Sequence, residues 1–315
     1  MLSWLMELTR VRSKIILTTL REEGVVGIIQ LVKKKFRQYF LLNRSLIGSK
    51  QYVLVPNVNG FTMLVSASDQ GIGRELRKYH IHEPILTRLL PSLIQKGSTI
   101  LDIGANIGYY TLLFSRWVGH EGLVVAVEPE PNNFSLLTLN LHLNGVHNVC
   151  LRQVAIGDHH GIATLYISDY SNWCSLRAQN PGKAQGIEVP LTTIDSIREE
   201  LSRPISLIRM DIEGYEVHAI EGGIQTLQKD KPYLIVEVHP IQIGNSNEVR
   251  SFLNRLASLG YEVHFLILRG DDFPWVKDRF RVWSCSFEQL VRNEILLEGP
   301  EAFVLVLKPT KENTP

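Results

Sequence analysis

The sequence predicts an α/β fold: a mostly parallel sheet with helices on both faces, closed by a terminal antiparallel hairpin. Three observations carry that prediction. Beyond Gly97, short runs rich in Val, Ile and Leu alternate with helical stretches, the pattern of a parallel sheet buried on both sides. A glycine-bearing turn, Gly104-Ala105-Asn106-Ile107-Gly108, joins the first such run to its helix. Two strands near the end of the chain, at 262–268 and 303–307, are linked by an irregular stretch that lacks a crossover helix of ordinary length, so they are expected to pair antiparallel.

Taken in order, residues 1–50 read as a basic helical extension, with Ile16, Leu20, Val26, Ile29, Val32 and Phe36 at helical spacings. Residues 51–96 form a small β lead-in: strands at 52–55 and 61–65 flank the turn Pro56-Asn57-Val58-Asn59-Gly60, a polar stretch runs to Gly73, and a helix covers 83–94. The main domain, 97–315, has strands at 99–103, 123–127, 149–155, 205–210 and 233–238, which the terminal pair brings to seven. Helices are expected at 109–118, 132–143, 194–201, 217–228 and 247–259. Between 161 and 189, the segments 163–167 and 187–191 read as an inserted hairpin with a long polar tip.

With 315 residues, 44% hydrophobic and 21% charged, the chain excludes disordered and fibrous classes. Its net charge of +1 divides unevenly: ten Lys or Arg against Glu7, Glu22 and Glu23 give the extension +7 and leave −6 for the body. Any contact with an anionic surface therefore falls to residues 1–50, which either pack on the body or lie on an anionic membrane. The acidic body argues against phosphate-backbone binding, so no nucleic-acid partner is expected. Cys150, Cys174 and Cys285 fit neither a disulfide framework nor a zinc cage. With no apolar run near the roughly 20 residues of a membrane span, the expected location is the cytoplasm, with contact at the inner membrane face through the extension.

The strand ending at Asp102 runs into Gly104, and the helix starts at Tyr109 just after Gly108. Free N–H groups at that helix start suit a carboxylate or a phosphate alike. A dinucleotide fingerprint requires a middle glycine where Asn106 stands. Asp102 would repel a pyrophosphate but can accept from the α-ammonium of an amino-acid cofactor, directly or through water. At the next strand end, Glu128 is the expected ligand of a ribose diol, ahead of Glu130, and Ala155 to Asp158 are expected near an adenine edge. Asp102, Gly104, Ala105, Asn106, Gly108, Glu128, Ala155 and Asp158 thus describe a site for S-adenosylmethionine (SAM), which has both an amino-acid end and a ribose.

The sequence resembles the FkbM family of SAM-dependent methyltransferases. The resemblance rests on Leu-Asp-Ile-Gly-Ala-Asn-Ile-Gly-Tyr-Tyr-Thr (101–111), Val-Glu-Pro (127–129), Val-Ala-Ile-Gly-Asp (154–158), Thr-Ile-Asp (193–195), Arg-Met-Asp-Ile-Glu-Gly-Tyr-Glu (209–216) and Glu-Val-His (237–239). It covers about 60–240 and implies a class I methyltransferase (Rossmann-like) sheet and methyl transfer to a hydroxyl of a sugar or natural product. Arg209 departs from the lysine common in the family and keeps the positive charge.

On the acceptor side, Asp211 and Glu213 alternate at the end of the fourth strand, and Glu237 and His239 at the end of the fifth. An acceptor hydroxyl must lose its proton as the new bond forms, which a positioned carboxylate or imidazole assists. His239 or Asp211 is the expected base, with Glu213 orienting. A divalent ion on Asp211, Glu213, Glu237 and His239 is chemically feasible, but the expected site is metal-free. Glu83, near a possible lid at 79–84, and Asn172, Trp173, Ser175 and Arg177 on the hairpin tip are the expected substrate contacts, with Trp173 able to stack on a sugar. The competing classes are a nucleic-acid methyltransferase, disfavoured because Asp211-Ile-Glu-Gly replaces the motif that holds a base amine, and an inactive SAM-binding module. The methyl acceptor is expected to be a small molecule, glycan or glycolipid.

Overall fold

The computed structural model describes residues 51–167, 175–176, 185–268 and 282–310. The extension 1–50, and with it the membrane contact, lies outside the described residues, as do Asn172, Trp173 and Arg177.

Strands β1 (Tyr52–Val58) and β2 (Phe61–Ser66) form an antiparallel hairpin. The main sheet begins with β3 (Thr99–Ile103), β4 (Leu123–Val127) and β5 (Val149–Arg152). A side sheet then takes β6 (Ala155–Ile156), β7 (Gly161–Ile167) and β8 (Gln185–Thr192). The main sheet resumes with β9 (Leu207–Met210), β10 (Tyr233–Val238), β11 (Tyr261–Leu268), β12 (Val282–Trp283) and β13 (Phe303–Pro309).

Its eight strands lie in the order β12-β11-β13-β10-β9-β3-β4-β5. The run from β10 to β5 is parallel, while β13 is antiparallel to both β10 and β11. This is the expected class I sheet with one strand more than the seven read from the sequence. The extra strand, β12, is two residues long, too short to leave a periodic signal.

Strand alternation divides the core. Ile100, Val124 and Ala126 pack under the helices Tyr109–Val118 and Pro131–Leu143, whereas Leu101, Ile103, Val125 and Val127 face the helices of the other layer. The β1–β2 hairpin is stitched to the first layer by two asparagines one helical turn apart. Asn140 Oδ1 accepts from Leu64 N at 2.6 Å and its Nδ2 donates to Leu64 O and Ile107 O, and Asn144 grips Thr62 N and O in the same way.

Several expected elements are divided. The 149–155 strand leaves the main sheet after Arg152, and Ala155–Ile156 pairs instead with β8. The 217–228 helix becomes Glu216–Glu221 and Ile224–Asp230, divided at Gly222 and Gly223, where Gly222 lies so close to the Gly157 carbonyl that a Cβ there would fall 2.0 Å from its oxygen. The 83–94 helix shortens to Pro84–Leu89 followed by a 3-10 turn, Leu90–Ser92. The polar stretch before it holds an unforeseen helix, Ile72–Tyr79, led in by Asp69, whose carboxylate accepts from Gly71 N and Gly73 N. Among the described residues no helix is long and apolar enough to cross a membrane.

The topology fixes where a ligand can lie. From β3 the chain moves outward through β4 to β5, then returns to place β9 on the other side of β3. Strand order reverses between β3 and β9, so a crevice opens beyond Ile103 and Met210, register partners in the parallel pair.

Candidate active site

An open cleft occupies that crevice, between Gly104, Asn106 and Glu128 on one side and Asp211, Ile212 and Glu213 on the other. Ala155, Ile156, Leu165 and Leu176 supply apolar lining, and Tyr215 adds an aromatic ring stacked on His218 at a centroid distance of 4.3 Å.

The first wall is built from backbone. Gly104, at φ +76°, sits where a Cβ would lie 2.0 Å from the Asp211 carbonyl oxygen, so only glycine lets the two strand ends meet. Gly104 N and Ala105 N both donate to Val127 O at 3.0 Å. Glu128 accepts from Asn106 N through Oε2 at 2.8 Å and from Glu130 N through Oε1 at 2.9 Å. Burial pushes its pKa up to about 7 even though these hydrogen bonds pull the other way. Glu130, the alternative ribose ligand, is committed elsewhere: it caps the helix Pro131–Leu143, accepting from Asn133 N at 2.6 Å, with Pro131 opening the first turn.

The second wall is built from side-chain charge. Arg209 and Asp102 are register partners on β9 and β3. The Arg209 guanidinium, 5% exposed, donates to Gly104 O at 2.9 Å and to Asp211 Oδ2 at 2.8 Å, lies 3.4 Å from Asp102 Oδ1 and sits over the Tyr110 ring. Burial works against its charge, but Asp211 and Asp102 more than offset that and push its pKa up.

Beyond Asp211, His239 is 4% exposed and gives Nδ1 to Glu216 Oε1 at 2.9 Å. Its Nε2 faces Glu213 Oε2 at 3.5 Å, Asp211 Oδ1 at 3.8 Å and Glu237 Oε1 at 3.8 Å. Burial disfavours the imidazolium. Glu216, by charge and hydrogen bond, and then Glu213 and Glu237 nevertheless hold its pKa well above the usual range.

The structure thus brings Gly104, Asn106, Glu128, Ala155, Asp211 and Glu213 together around the cleft, with His239 directly behind the last two. Other expectations are corrected. Asp102 is fully buried: on the β3 face that carries Ile100, its side chain points under the helix Tyr109–Val118, where Oδ2 accepts from Thr111 Oγ1 at 2.6 Å. It holds Arg209 rather than meeting a cofactor ammonium. Ala105 is buried and Gly108 packs against Leu137, and neither lines the cleft. Asp158 is exposed, bridging His159 and His218, whose hydrogen bonds lower its pKa. Glu83 is buried and accepts from Tyr110 Oη at 2.6 Å, and His82 beside it is bonded to Glu75, so Glu83 is tied to the helix Tyr109–Val118 and does not line the cleft. Ser175 is 2% exposed and donates to the Glu213 carbonyl at 2.7 Å, tying the inserted hairpin to the acceptor loop instead of facing a substrate.

Three contributors escaped the sequence reading. Arg209 was legible as a charge two residues before Asp211 and hence on its face. Glu216 organises the loop, with Oε1 accepting from Ile212 N at 3.3 Å and Gly214 N at 3.2 Å as well as from His239. Tyr215, inside the quoted motif, lines the cleft. Two cleft residues, Asn106 at φ 50° and Glu213 at φ 54°, hold left-handed backbone without being glycine, a cost of order 1–3 kcal/mol each that the surrounding bonds sustain.

The donor set fits SAM. When ionised, Glu128 is an acceptor-only group at the cleft, and beyond the Asn106 and Glu130 amides and the Asn133 side chain its two oxygens keep the acceptor capacity that a ribose diol needs. Fold and site together define a class I SAM-dependent methyltransferase.

The model of the methyltransferase FkbM domain matches residues 102–263, and the chain belongs to that family. A second model, protein-L-isoaspartate(D-aspartate) O-methyltransferase, matches residues 32–161. Among curated relatives, methyltransferase 1 of Beauveria bassiana (strain ARSEF 2860) is 27% identical over 145 residues, 40% of this chain and 58% of that protein. Protein-L-isoaspartate O-methyltransferase 1 of Arabidopsis thaliana is 23% identical over 207 residues, 64% of this chain and 81% of that one. The solved FkbM methyltransferase from Methylobacillus flagellatus KT is 17% identical with a TM-score of 0.42, over 68% of this chain and 45% of that chain. The chain thus spans less than two thirds of the Beauveria and Methylobacillus proteins.

Proposed function

We propose that this protein methylates a neutral hydroxyl on a sugar, glycan, glycolipid or polyhydroxylated natural product. One observation carries the reading: the wall opposite Glu128 is lined by Asp211 and Glu213, with Glu216 and Glu237 close behind around His239.

Glu128 would hold the ribose of SAM, Gly104 and Asn106 the loop side of the molecule, and Ala155, Ile156, Leu165 and Tyr215 its base. When bound, SAM supplies an electrophilic methyl group on a sulfonium. The acceptor hydroxyl would lie against Asp211 and Glu213, and as its oxygen takes the methyl group from sulfur, which leaves as a neutral thioether, its proton would pass to Asp211. His239, which keeps its own proton, orients the carboxylates instead of serving as base. Carboxylate assistance is worth about 10²–10⁴-fold, and fixing the oxygen in line contributes several kcal/mol more.

Isoaspartyl methylation, raised by the second family model, would bring an anionic acceptor onto this wall. One like-charge pair at about 4 Å costs about 4 kcal/mol at an effective dielectric of 20, and here both Asp211 and Glu213 face the newcomer. That model also ends at residue 161, before the acceptor loop begins. The test supplies labelled SAM with neutral glycans, glycolipids and an isoaspartyl peptide. The expected product is an alkali-stable methyl ether on a neutral acceptor; an alkali-labile ester on the peptide alone overturns the reading.

A further inference from the structure

We propose that Asp211, Glu237 and His239 form a binding site for one first-row divalent cation, set on the acceptor side of the cleft. The inference rests on the functional reading above only for what the ion does, not for where it binds.

Candidate ligand atoms of these three residues all lie within 4.8 Å of one another. They come from the ends of adjacent parallel strands, Asp211 just past β9 and Glu237 and His239 at the end of β10, so the sheet itself fixes their spacing. His239 Nε2 stands 3.8 Å from Asp211 Oδ1 and 3.8 Å from Glu237 Oε1, with Glu213 Oε2 at 3.5 Å. Those separations are long for hydrogen bonds. Two ligands at about 2.0–2.2 Å from one ion are themselves roughly 3–3.5 Å apart, so a small closure of the cluster suffices.

The surroundings are those of a metal-binding histidine. Nδ1 is engaged by Glu216 Oε1 at 2.9 Å, which fixes the ring and leaves Nε2, whose proton a bound ion would displace, as the coordinating nitrogen, the arrangement carboxylates impose behind metal-bound imidazoles. Glu216 gives a second, separate indication. It is fully buried, and its Oε2 has no hydrogen-bond partner. A desolvated, unpartnered carboxylate oxygen beside a cluster already rich in carboxylates marks a local deficit of positive charge.

One imidazole with two carboxylates favours Mn²⁺, Fe²⁺ or Zn²⁺ over Ca²⁺, which takes all-oxygen shells. An ion there would lower the cost of deprotonating a neutral hydroxyl beside it. Asp211 would then be a ligand, and Glu213, which lines the cleft, is the carboxylate left to receive the proton.

The test treats the full chain with a chelator, removes the chelator, and titrates MnCl₂ while free Mn²⁺ is followed by electron paramagnetic resonance. SAM binding is measured on the same samples by calorimetry. One tight Mn²⁺ per chain is expected, with Kd raised at least about 30-fold in both His239→Ala and the near-isosteric Glu237→Gln. Glu237→Gln should retain SAM binding, which shows that it is folded. Failure of wild-type protein that binds SAM to take up Mn²⁺ or Zn²⁺, or equal Mn²⁺ affinity in folded Glu237→Gln, overturns the site. Site-dependent Mn²⁺ binding in a protein that does not bind SAM supports the ion while counting against the functional reading.

Discussion

The two walls of the cleft meet at Gly104 and Asp211 yet are held by different forces. On the Glu128 side, the backbone does the holding: Asn106 N and Glu130 N fix the carboxylate, and the Gly104 and Ala105 amides share one carbonyl. On the Asp211 side, charge does it, as Arg209 joins Asp102 to Asp211 and His239 sits among Glu216, Glu213, Asp211 and Glu237. A wall made by backbone geometry tolerates a change in one side chain as a local loss of binding. A wall made by buried charges does not, because removing one partner strands another in low dielectric.

The sharpest way to break this contrast is Arg209→Met. It removes the guanidinium that Asp102 and Asp211 share, and urea denaturation at neutral pH should show a loss of about 3–5 kcal/mol; a loss below about 1 kcal/mol would mean that the charges relax without that partner. Next in size is Asp211→Asn, which should cut turnover by about 10²–10⁴-fold in the labelled-SAM assay, whereas wild-type turnover would remove Asp211 from the chemistry.

Smaller still is a pH effect on the donor wall. Burial raises the Glu128 pKa to about 7, so below that value the group is protonated and one oxygen becomes a donor in place of an acceptor. SAM affinity should climb as pH rises through about 7 and then level off, by at most tenfold per unit. In Glu128→Gln the slope should vanish, and a slope that persists there belongs to another group.

These forces also explain what was legible in the sequence. Strands 99–103, 123–127 and 233–238 and the helix 109–118 appear in the structure at the expected bounds, because a doubly covered parallel sheet writes its burial directly into apolar runs. The position of Glu128 at the cleft was legible because a strand end at a fixed distance from a glycine turn is a backbone relation. Asp102 was misread because its role depends on Arg209, 107 residues away in sequence, and strand pairing alone reveals that they touch. Ser175 was misread for the same reason, since its partner is the Glu213 carbonyl. Strand β12 and the break at Gly222 depend on tertiary approach, which leaves no period in the chain.

On the proposed reading, donor binding and acceptor chemistry belong to separate walls of the cleft. Calorimetry of SAM binding to Glu128→Ala and Asp211→Asn tests it directly. Hydrogen bonds to a charged group contribute about 1.5–3 kcal/mol each, so Glu128→Ala should weaken binding by roughly tenfold or more while Asp211→Asn stays within about threefold of wild type. Unaltered affinity in Glu128→Ala, or an equal loss in Asp211→Asn, would contradict it.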